Sequence, residues 1–168
     1  ITVTIDDVND NAPVFTSNAA VSIDENTTDV VTLVTTDADT NPTVTYSITG
    51  GTDANSFAVT EAGALTISAV DHELGKTEFK VTVTATDNDG DNSTTQDITV
   101  TINDTNDNAP VFTSNATVSI DENTTDVVTL VTTDADTNPT VTYSITGGDD
   151  ANSFAVTTDG VLTISGTD

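Results

Sequence analysis

The chain has 168 residues, enough for about one and a half ordinary domains, so we expect one complete core and part of a second rather than a large enzyme. Its 28 acidic residues stand against two basic ones, Lys76 and Lys80, and the formal net charge of −26 excludes nucleic acid as a partner. The lack of cysteine excludes a disulfide framework, a thiolate metal site and a thiol nucleophile. Such a charge is typical of a disordered chain or of one that binds cations, and the apolar pattern decides between them.

The sequence repeats itself at an interval of 97 residues. The segment Ile1–Ile5 returns as Ile98–Ile102, and residues 1–71 differ from residues 98–168 at only nine positions. A unit of this length is far longer than a solenoid repeat, so each copy is expected to be a domain with its own core. The chain is therefore predicted to be a row of similar domains.

The boundaries of the units are predicted from the segment Asn9–Pro13, within which a unit begins. Residues 11–107 then form one complete unit. Residues 1–10 are expected to be the last strand and linker of a preceding unit, and residues 108–168 an incomplete unit that lacks its last two strands. Because the chain has no initiator methionine, no basic leader and no apolar run of about 18 residues, we expect it to be a segment or a processed product, with whatever exports or anchors it lying elsewhere.

Within one unit, apolar residues alternate with polar ones, which is the pattern of half-buried β-strands. Thr and Ser fill the outward positions, and segments rich in Asp, Asn, Gly and Pro separate the strands. Seven short strands in a unit of this length predict an all-β fold of tandem seven-stranded antiparallel Greek-key β-sandwiches of the immunoglobulin-like kind. The predicted strands are Val21–Ile23, Val31–Leu33, Val44–Ile48, Phe57–Val59, Leu65–Ile67, Phe79–Ala85 and Ile98–Ile102.

The acidic residues collect in clusters at the ends of the predicted strands. Strand ends of a sandwich gather at its two poles, so these clusters can converge. Two carboxylates 4 Å apart repel by about 4 kcal/mol at an effective dielectric near 20, so a converged group requires a counter-ion. Carboxylate, amide and carbonyl oxygens suit Ca²⁺, whereas transition metals favour His or Cys. The clusters are Asp24–Asn26, Asp37–Asn41, Asp71–Glu73, Asp87–Asp89 and Asp104–Asn108.

The order and spacing of these motifs resemble cadherin repeats, in the form found in bacterial surface proteins. The resemblance covers residues 11–107, and its motifs are separated by the expected strands. The matching motifs are the linker Asp104–Asn108 followed by Ala109–Phe112, the early glutamate Glu25, the acid pair Asp71 and Glu73, and the Asp-x-Asp pair Asp134 and Asp136 with Asn138 after it. The fold that the resemblance implies is the cadherin-type sandwich.

The resemblance also implies a chain of Ca²⁺ ions, usually three, between consecutive repeats. At the complete junction the implied ligands are Glu25, Asp71, Glu73, Asp104, Thr105 through its carbonyl, Asn106, Asp107, Asn108, Asp134, Asp136 and Asn138. At a preceding junction they are Asp7, Asn9, Asp10, Asn11, Asp37, Asp39, Asn41 and Asp87, where the upstream acids are missing and partial occupancy is expected. The carboxylates of the complete junction sum to −7, which three divalent ions nearly balance.

The function that the resemblance implies is cell adhesion, with the chain serving as a calcium-rigidified spacer of a large surface adhesin. The expected location is extracellular, at the cell surface, with the parent protein attached to the cell or its membrane. The expected partners are calcium, adjacent repeats of the same chain, and a cell-surface protein or glycan. Ligand sets of this extracellular kind bind Ca²⁺ at roughly 10⁻⁴ to 10⁻³ M.

Two alternatives remain from the residues themselves. One is a polysaccharide-binding module of the same fold, although most of its five Phe and two Tyr occupy core-facing positions. The other is a hydrolase with Asp71 and Glu73 as a carboxylate pair, although no second chemical group accompanies them. The sequence therefore predicts that the chain is not an enzyme. His72 lies between these acids on a segment predicted to be extended, so its side chain is expected to point away from them.

Overall fold

The computed structural model of the chain describes residues 1–40, 42–87 and 92–165. It divides into two compact units, Ile1–Asp104, called unit 1, and Thr105–Asp168, called unit 2. This division falls three residues before the predicted boundary after residue 107, and it groups residues 1–10 with unit 1. Each unit is described by itself.

Unit 1 is built from strands and two single turns of 3₁₀ helix. Each of the seven predicted strands overlaps one of its strands, and the last one begins five residues earlier than predicted. Two further strands, β1 and β4, have only two residues each and so carry no alternating pattern that could predict them. The strands are β1 (Val14–Phe15), β2 (Ala20–Asp24), β3 (Asp29–Thr32), β4 (Thr35–Thr36), β5 (Thr45–Gly50), β6 (Phe57–Val59), β7 (Ala64–Ile67), β8 (Glu78–Thr86) and β9 (Ser93–Asn103), and the turns are Ala54–Ser56 and His72–Leu74.

The strands of unit 1 form a four-stranded sheet in the order β2-β9-β8-β5, a three-stranded sheet in the order β3-β7-β6, and the short pair β1-β4. The predicted all-β class is confirmed. One pairing departs from an all-antiparallel sandwich, because β2 runs parallel to β9, with Val21 opposite Val100 and Ile23 opposite Ile102. A parallel pair requires a long connection, and here nearly the whole unit supplies it. The first and last long strands of the unit therefore end side by side.

The core of unit 1 consists of residues with alternating spacing from both larger sheets. Ile98 and Val100 of β9 and Val83 of β8 have no exposed surface, since every second side chain of a strand points to the same face. Burial of each such side chain contributes about 1.5–3 kcal/mol to the free energy of unfolding. The ten residues of the core are Leu33, Phe57, Leu65, Ile67, Phe79, Val81, Val83, Ile98, Val100 and Ile102.

Unit 2 reproduces part of this plan. Its three-stranded sheet, in the order β11-β14-β13, corresponds to β3-β7-β6 of unit 1. An open groove of about 470 Å³, lined mainly by apolar side chains such as Val118 and Leu162, lies against this sheet. The strands are β10 (Val111–Phe112), β11 (Asp126–Thr129), β12 (Thr132–Thr133), β13 (Phe154–Val156) and β14 (Val161–Ile164), with a 3₁₀ turn at Ala151–Ser153.

The equivalents of β2 and β5 are not strands in unit 2. Residues 117–121 and 142–147 lie within the described part of the chain and have no ladder partner there, although residues 142–147 have the same sequence as β5. In unit 1 the partners of β2 and β5 are β9 and β8. A strand sequence forms a strand only where a neighbour takes up its backbone hydrogen bonds.

Residues 1–5, at the N-terminal end of the chain, also have a strand sequence without forming a strand. They have the sequence of Ile98–Ile102, which lies in β9, yet they form no strand and Ile1, Val3 and Ile5 are exposed. The assignment of residues 1–10 to a preceding unit stays a prediction.

Candidate metal centres

Three carboxylates converge at one end of unit 1, in a group that we call the upstream centre. Asp37, Asp39 and Asp87 each offer an oxygen, and these oxygens lie within 4.8 Å of one another. Asp39 is 7% exposed and Asp87 only 3%, so both are largely withdrawn from water. The Oδ2 atom of Asp37 is buried and has no hydrogen-bond partner within the described structure. A buried carboxylate oxygen of this kind is costly unless a cation satisfies it.

The N-terminal segment holds the upstream centre in place. The backbone N–H of Asn11 donates to Oδ2 of Asp39 at 2.9 Å, and its side-chain Nδ2 donates to Oδ1 of the same carboxylate at 2.7 Å. The backbone N–H of Asp39 donates to Oδ1 of Asp37 at 3.0 Å. These bonds fix two of the three carboxylates relative to each other. They bring Asn11, Asp37 and Asp39 together, and the role of these residues as metal ligands stays a prediction.

The other residues predicted at this end are less closely tied to it. Oδ2 of Asp7 accepts from the backbone N–H of Thr40 at 2.6 Å, and this bond holds the pKa of the Asp7 carboxyl below its ordinary value. Oδ1 of Asp10 accepts from Asn11 Nδ2 at 2.9 Å, and the carbonyl of Asn9 accepts from Nδ2 of Asn92 at 3.3 Å. Asn92 was not predicted at this site. Asn41 lies outside the described residues.

A second group of acids, called the downstream centre, is formed by Glu25, Asp71, Glu73 and Asp104. Glu25 follows β2 and Asp104 follows β9, and these parallel strands end side by side. Glu25 is 3% exposed, and its Oε2 accepts from the backbone N–H of His72 at 2.7 Å. Oδ1 of Asp71 caps the 3₁₀ turn by accepting from the backbone N–H of Glu73 at 3.0 Å.

Burial and neighbouring acids of the downstream centre raise the pKa of Glu73. The pKa of Glu73 lies above its ordinary value, chiefly because its carboxyl is partly buried. The neighbouring Asp104 carboxyl and the charge of Glu25 raise this pKa further. A cation among these groups would lower the pKa of Glu73 against burial and against the neighbouring acids, because it favours the ionised carboxylate.

The two centres lie at opposite ends of the four-stranded sheet. Strand β8 runs antiparallel to β9, with Glu78 opposite Thr101 and Thr86 opposite Ser93. Asp87, which follows β8, is therefore at the end of the sheet remote from Asp104, which follows β9. Unit 1 thus carries one acidic centre at each pole, as the clustering of acids at strand ends predicts.

The prediction for His72 is wrong. Its Nδ1 lies 3.5 Å from Oε1 of Glu73 and 3.6 Å from Oδ1 of Asp104, so the imidazole lies among the acids rather than pointing away. The cause is local backbone structure: His72–Leu74 form a 3₁₀ turn, with Gly75 in the left-handed region after it, instead of an extended segment. In a turn, adjacent side chains no longer alternate between opposite faces.

Unit 2 repeats the first part of the upstream arrangement. The backbone N–H of Asn108 donates to Oδ2 of Asp136 at 3.1 Å, and its Nδ2 donates to Oδ1 at 2.8 Å. The backbone N–H of Asp136 donates to Oδ1 of Asp134 at 3.1 Å. Asn138 has a φ of +57°, in the left-handed region that asparagine tolerates. These three hydrogen bonds correspond to the three bonds that join Asn11, Asp39 and Asp37 in unit 1.

The other predicted ligands of the linker are Thr105, Asn106 and Asp107. The carbonyl of Thr105, predicted to face a metal ion, accepts from the backbone N–H of Asp107 at 2.9 Å. Oδ1 of Asp107 accepts from Asn108 Nδ2 at 2.9 Å, and Asn106 is exposed.

The donor set of both centres fits Ca²⁺. Both centres offer several carboxylate oxygens, and Ca²⁺ accepts six to eight oxygens in flexible geometry. The buried and unsatisfied Oδ2 of Asp37 is the observation that most directly favours a cation. The fold and these centres together define the class of protein: a tandem β-repeat with an oxygen-rich centre at each pole of unit 1.

Comparison with known proteins identifies the family. Residues 19–103 match the cadherin domain, and the chain belongs to the cadherin family. The chain is 36% identical to mouse Cadherin EGF LAG seven-pass G-type receptor 2 over 96% of its length, and 37% identical to human Protocadherin Fat 1 over 94%. These matches cover 6% and 4% of the two relatives, so the chain spans only a small part of the curated proteins it resembles.

Solved structures give the same fold. Domains EC1-2 of human Protocadherin-24 superpose with a TM-score of 0.74 and 28% identity, over 95% of this chain and 79% of that one. Domains EC22-24 of mouse Cadherin-23 give a TM-score of 0.64 and 28% identity, over 95% of this chain and 55% of that one. The cadherin resemblance is confirmed, whereas its bacterial form stays a prediction.

Membership of this family assigns the chain to the adhesion modules rather than to the enzymes. The hydrolase alternative built on Asp71 and Glu73 is thereby set aside. In the part of the chain that the structure describes, none of the helices has the length and apolar character needed to cross a membrane.

Proposed function

We propose that the chain is a calcium-binding, calcium-rigidified spacer of a large extracellular adhesin. The observation that carries this proposal is the presence of an acidic centre at each pole of unit 1, one of them with a buried and unsatisfied carboxylate oxygen. A repeat with a centre at both ends is suited to a row of repeats, because each end can share ions with a neighbour.

The residues that would hold calcium fall into three groups. The upstream centre offers Asn11, Asp37, Asp39 and Asp87, with Asp7, Asn9, Asp10 and Asn41 nearby in sequence. The downstream centre offers Glu25, Asp71, Glu73 and Asp104. The linker and unit 2 offer Thr105, Asn106, Asp107, Asn108, Asp134, Asp136 and Asn138. When bound, calcium supplies positive charge to a chain whose formal net charge is −26.

Rigidity is the proposed consequence of binding. The segment 104–108 joins the units and is rich in calcium-type ligands, so ions bound there would restrict its backbone. The near-identity of the two copies also favours a spacer, since a recognition domain would be expected to diverge from its neighbours. The partners are then calcium, the adjacent repeats, and a cell-surface protein or glycan bound by another part of the parent protein.

An extracellular location follows from the affinity expected of these ligands. Extracellular calcium modules bind at roughly 10⁻⁴ to 10⁻³ M, which matches calcium outside cells and not in cytosol. The parent protein is proposed to be attached to the cell surface or membrane.

A calcium titration with thermal melting tests binding at the upstream centre. The chain is melted in chelator and in millimolar Ca²⁺, and we expect calcium to raise the melting temperature of unit 1. Asp37→Asn should lose most of this rise and should melt slightly higher than the unaltered chain in chelator, because it removes carboxylate repulsion. Asp29→Asn is the matched control, since Asp29 is an exposed acid of β3 outside both centres. An equal calcium response in the two variants would contradict the assignment.

Small-angle scattering tests the spacer role on a chain of two complete repeats. We expect a longer and narrower particle in millimolar Ca²⁺ than in chelator. Combined Asp107→Ala and Asp136→Ala substitutions should abolish the change, because they remove acids of the linker and of unit 2. A particle that is equally extended in chelator would exclude calcium-dependent stiffening.

A further inference from the structure

The single histidine of the chain is placed where it can share a metal ion with two carboxylates. Nδ1 of His72, Oε1 of Glu73 and Oδ1 of Asp104 surround one small space, with separations of 3.5 Å and 3.6 Å from the imidazole nitrogen to the two oxygens. One ligand atom from each of the three residues lies within 4.8 Å of the others. The cluster is therefore mixed, with one nitrogen and two oxygens, unlike the upstream centre.

Hydrogen bonds of the 3₁₀ turn fix the backbone of His72 and Glu73. His72 and Glu73 lie in a 3₁₀ turn capped by Asp71, and the backbone N–H of His72 is bonded to Glu25 at 2.7 Å. Asp104 directly follows β9, the central strand whose residues fill the core. The side chains of His72, Glu73 and Asp104 are 26%, 17% and 16% exposed, so an ion can reach them from solvent while most of their surface is covered.

The separations suit a small tetrahedral ion. Zinc binds His nitrogen at about 2.0–2.1 Å and carboxylate oxygen at about 2.0–2.2 Å, which places neighbouring ligands of a tetrahedron about 3.4 Å apart. The two distances from Nδ1 lie within about 0.2 Å of that value, and the ligand atoms of the three residues all lie within 4.8 Å of one another. Calcium prefers oxygen ligands and longer bonds, and the imidazole nitrogen adds little for it.

We propose that His72, Glu73 and Asp104 form a binding site for Zn²⁺ or a similar first-row divalent ion, with water completing the coordination. Imidazole with carboxylates suits zinc, nickel and copper, whereas a purely carboxylate group suits calcium. The upstream centre is the internal contrast: Asp37, Asp39 and Asp87 form a compact group of three carboxylates and no imidazole. Of the two groups, only the one with His72 would therefore favour zinc, although its carboxylates can also bind calcium.

Competition between the two kinds of ion follows, and this part rests on the proposed calcium function. Glu73 and Asp104 are also proposed calcium ligands, so an ion that binds them together with His72 excludes calcium from the same oxygens. Binding free energies are reciprocal, so calcium must weaken zinc binding by the factor by which zinc weakens calcium binding there.

Titration of the full chain with Co²⁺ in calcium-free buffer tests the site, because Co²⁺ reports tetrahedral coordination by its visible absorption. We expect one equivalent to give the intense tetrahedral band and Zn²⁺ to displace it. His72→Gln keeps the backbone N–H that Glu25 accepts, and it should weaken Co²⁺ and Zn²⁺ binding at least about tenfold, since even loss of an outer partner costs 10–100-fold. Asp29→Asn, an exposed acid of β3 outside both centres, should leave the band unchanged.

Two results would overturn the site: a full chain that gives no tetrahedral Co²⁺ band, or a His72→Gln chain that binds Co²⁺ and Zn²⁺ as tightly as the unaltered chain while circular dichroism shows it to be folded. A Zn²⁺ titration at rising Ca²⁺ separates the two proposals. Zinc affinity that falls with calcium supports the shared ligands. Zinc affinity that does not change overturns the sharing, while calcium binding itself is judged separately from the melting response of Asp37→Asn.

Discussion

At the scale of single residues, Gly51 shows how close packing dictates residue identity. Its backbone has a φ of +104°, and a Cβ there would lie 2.5 Å from Cα of Val81 and 2.6 Å from the carbonyl oxygen of Lys80. Both atoms belong to the backbone of β8, which cannot move without breaking its ladders. The turn after β5 therefore requires glycine because β8 passes directly against it.

We predict that Gly51→Ala lowers the free energy of unfolding of unit 1 by about 2 kcal/mol or more, from backbone strain and overpacking together. Gly148→Ala is the matched control in unit 2, where φ is +119° and the described structure has no heavy atom within 4 Å of the added Cβ. Gly148→Ala should lower the free energy of unfolding of unit 2 by about 1 kcal/mol, from backbone strain alone. Amide exchange of β8 and β14 during a urea titration measures the two units separately, and equal losses would contradict the packing argument.

The protonation of Asp53 makes the stability of unit 1 depend on pH, with a direction that follows from the pKa shift of its carboxyl. The ammonium of Lys76 and the backbone N–H of Lys80 hold the pKa of the Asp53 carboxyl below its ordinary value. A carboxyl whose folded pKa is depressed stabilises the fold above its unfolded pKa, and this contribution is lost as the pH falls through the folded pKa. The chain has only two basic residues besides His72, so this ion pair is a rare one here.

We predict that Asp53→Asn is less stable than the unaltered chain at neutral pH, and that the difference disappears as the pH falls below the ordinary value of 3.8. Added salt should also reduce the stability difference between Asp53→Asn and the unaltered chain, because salt screens the ion pair of Asp53 with Lys76. Urea midpoints of unit 1 across this pH range measure the effect. Asp150→Asn, at the same position of the second copy, is the control, and an equal and pH-independent loss in both variants would exclude the ion pair as the cause.

At the scale of elements, the same five residues occur once as part of a buried strand and once as an exposed segment. Ile98 has no exposed surface, whereas Ile1, its counterpart in the repeat, is fully exposed. Local sequence is identical, so the difference arises from the neighbours: β2 and β8 flank Ile98–Ile102 on both sides.

We predict that Ile98→Ala lowers the free energy of unfolding of unit 1 by about 2–5 kcal/mol, because it removes a buried side chain and leaves a cavity. Ile1→Ala should change it by less than about 0.5 kcal/mol, as expected for a surface substitution. Denaturant unfolding of the two variants measures this directly. A substantial loss in Ile1→Ala would mean that residues 1–5 are packed in solution.

The strands of unit 1 were predictable because alternation of apolar and polar residues is written into the sequence. Alternation does not identify partners, so the parallel pairing of β2 with β9 required the structure. Strands β1 and β4 are too short to show a period. The 3₁₀ turn at His72–Leu74 was missed because a single turn has no periodic signal, and with it the position of the imidazole.

At the scale of the whole molecule, residues 117–121 and 142–147 have no strand partner within the described part of unit 2, and an apolar groove there is open. We predict that the chain extended after Asp168 by the counterparts of residues 72–107 forms strands at both segments. Unit 2 should then melt cooperatively, because β8-like and β9-like strands cover the groove. As an isolated peptide, residues 108–168 should melt without cooperativity. Circular dichroism and calorimetry of the three chains test this, and cooperative melting of the isolated peptide would contradict it.

The acidic clusters were predicted from the positions of the strand ends, and the individual acids of the candidate centres from the resemblance to cadherin repeats. The structure brings Asp37, Asp39 and Asp87 together although they are far apart in the chain. It also shows which of them are buried, which no spacing reveals. The predicted role of the Thr105 carbonyl and of Asn106 stays a prediction.

Sequence alone determined the repeat, the strand-forming segments, the all-β class and the acidic character of the strand ends, because each of these is a local or periodic property of the chain. Only the tertiary structure decided which identical segments become strands, which carboxylates are withdrawn from water and where the imidazole of His72 lies. Those outcomes depend on partners distant in sequence: a backbone needs a neighbour for its hydrogen bonds, and a side chain is buried only when other elements cover it.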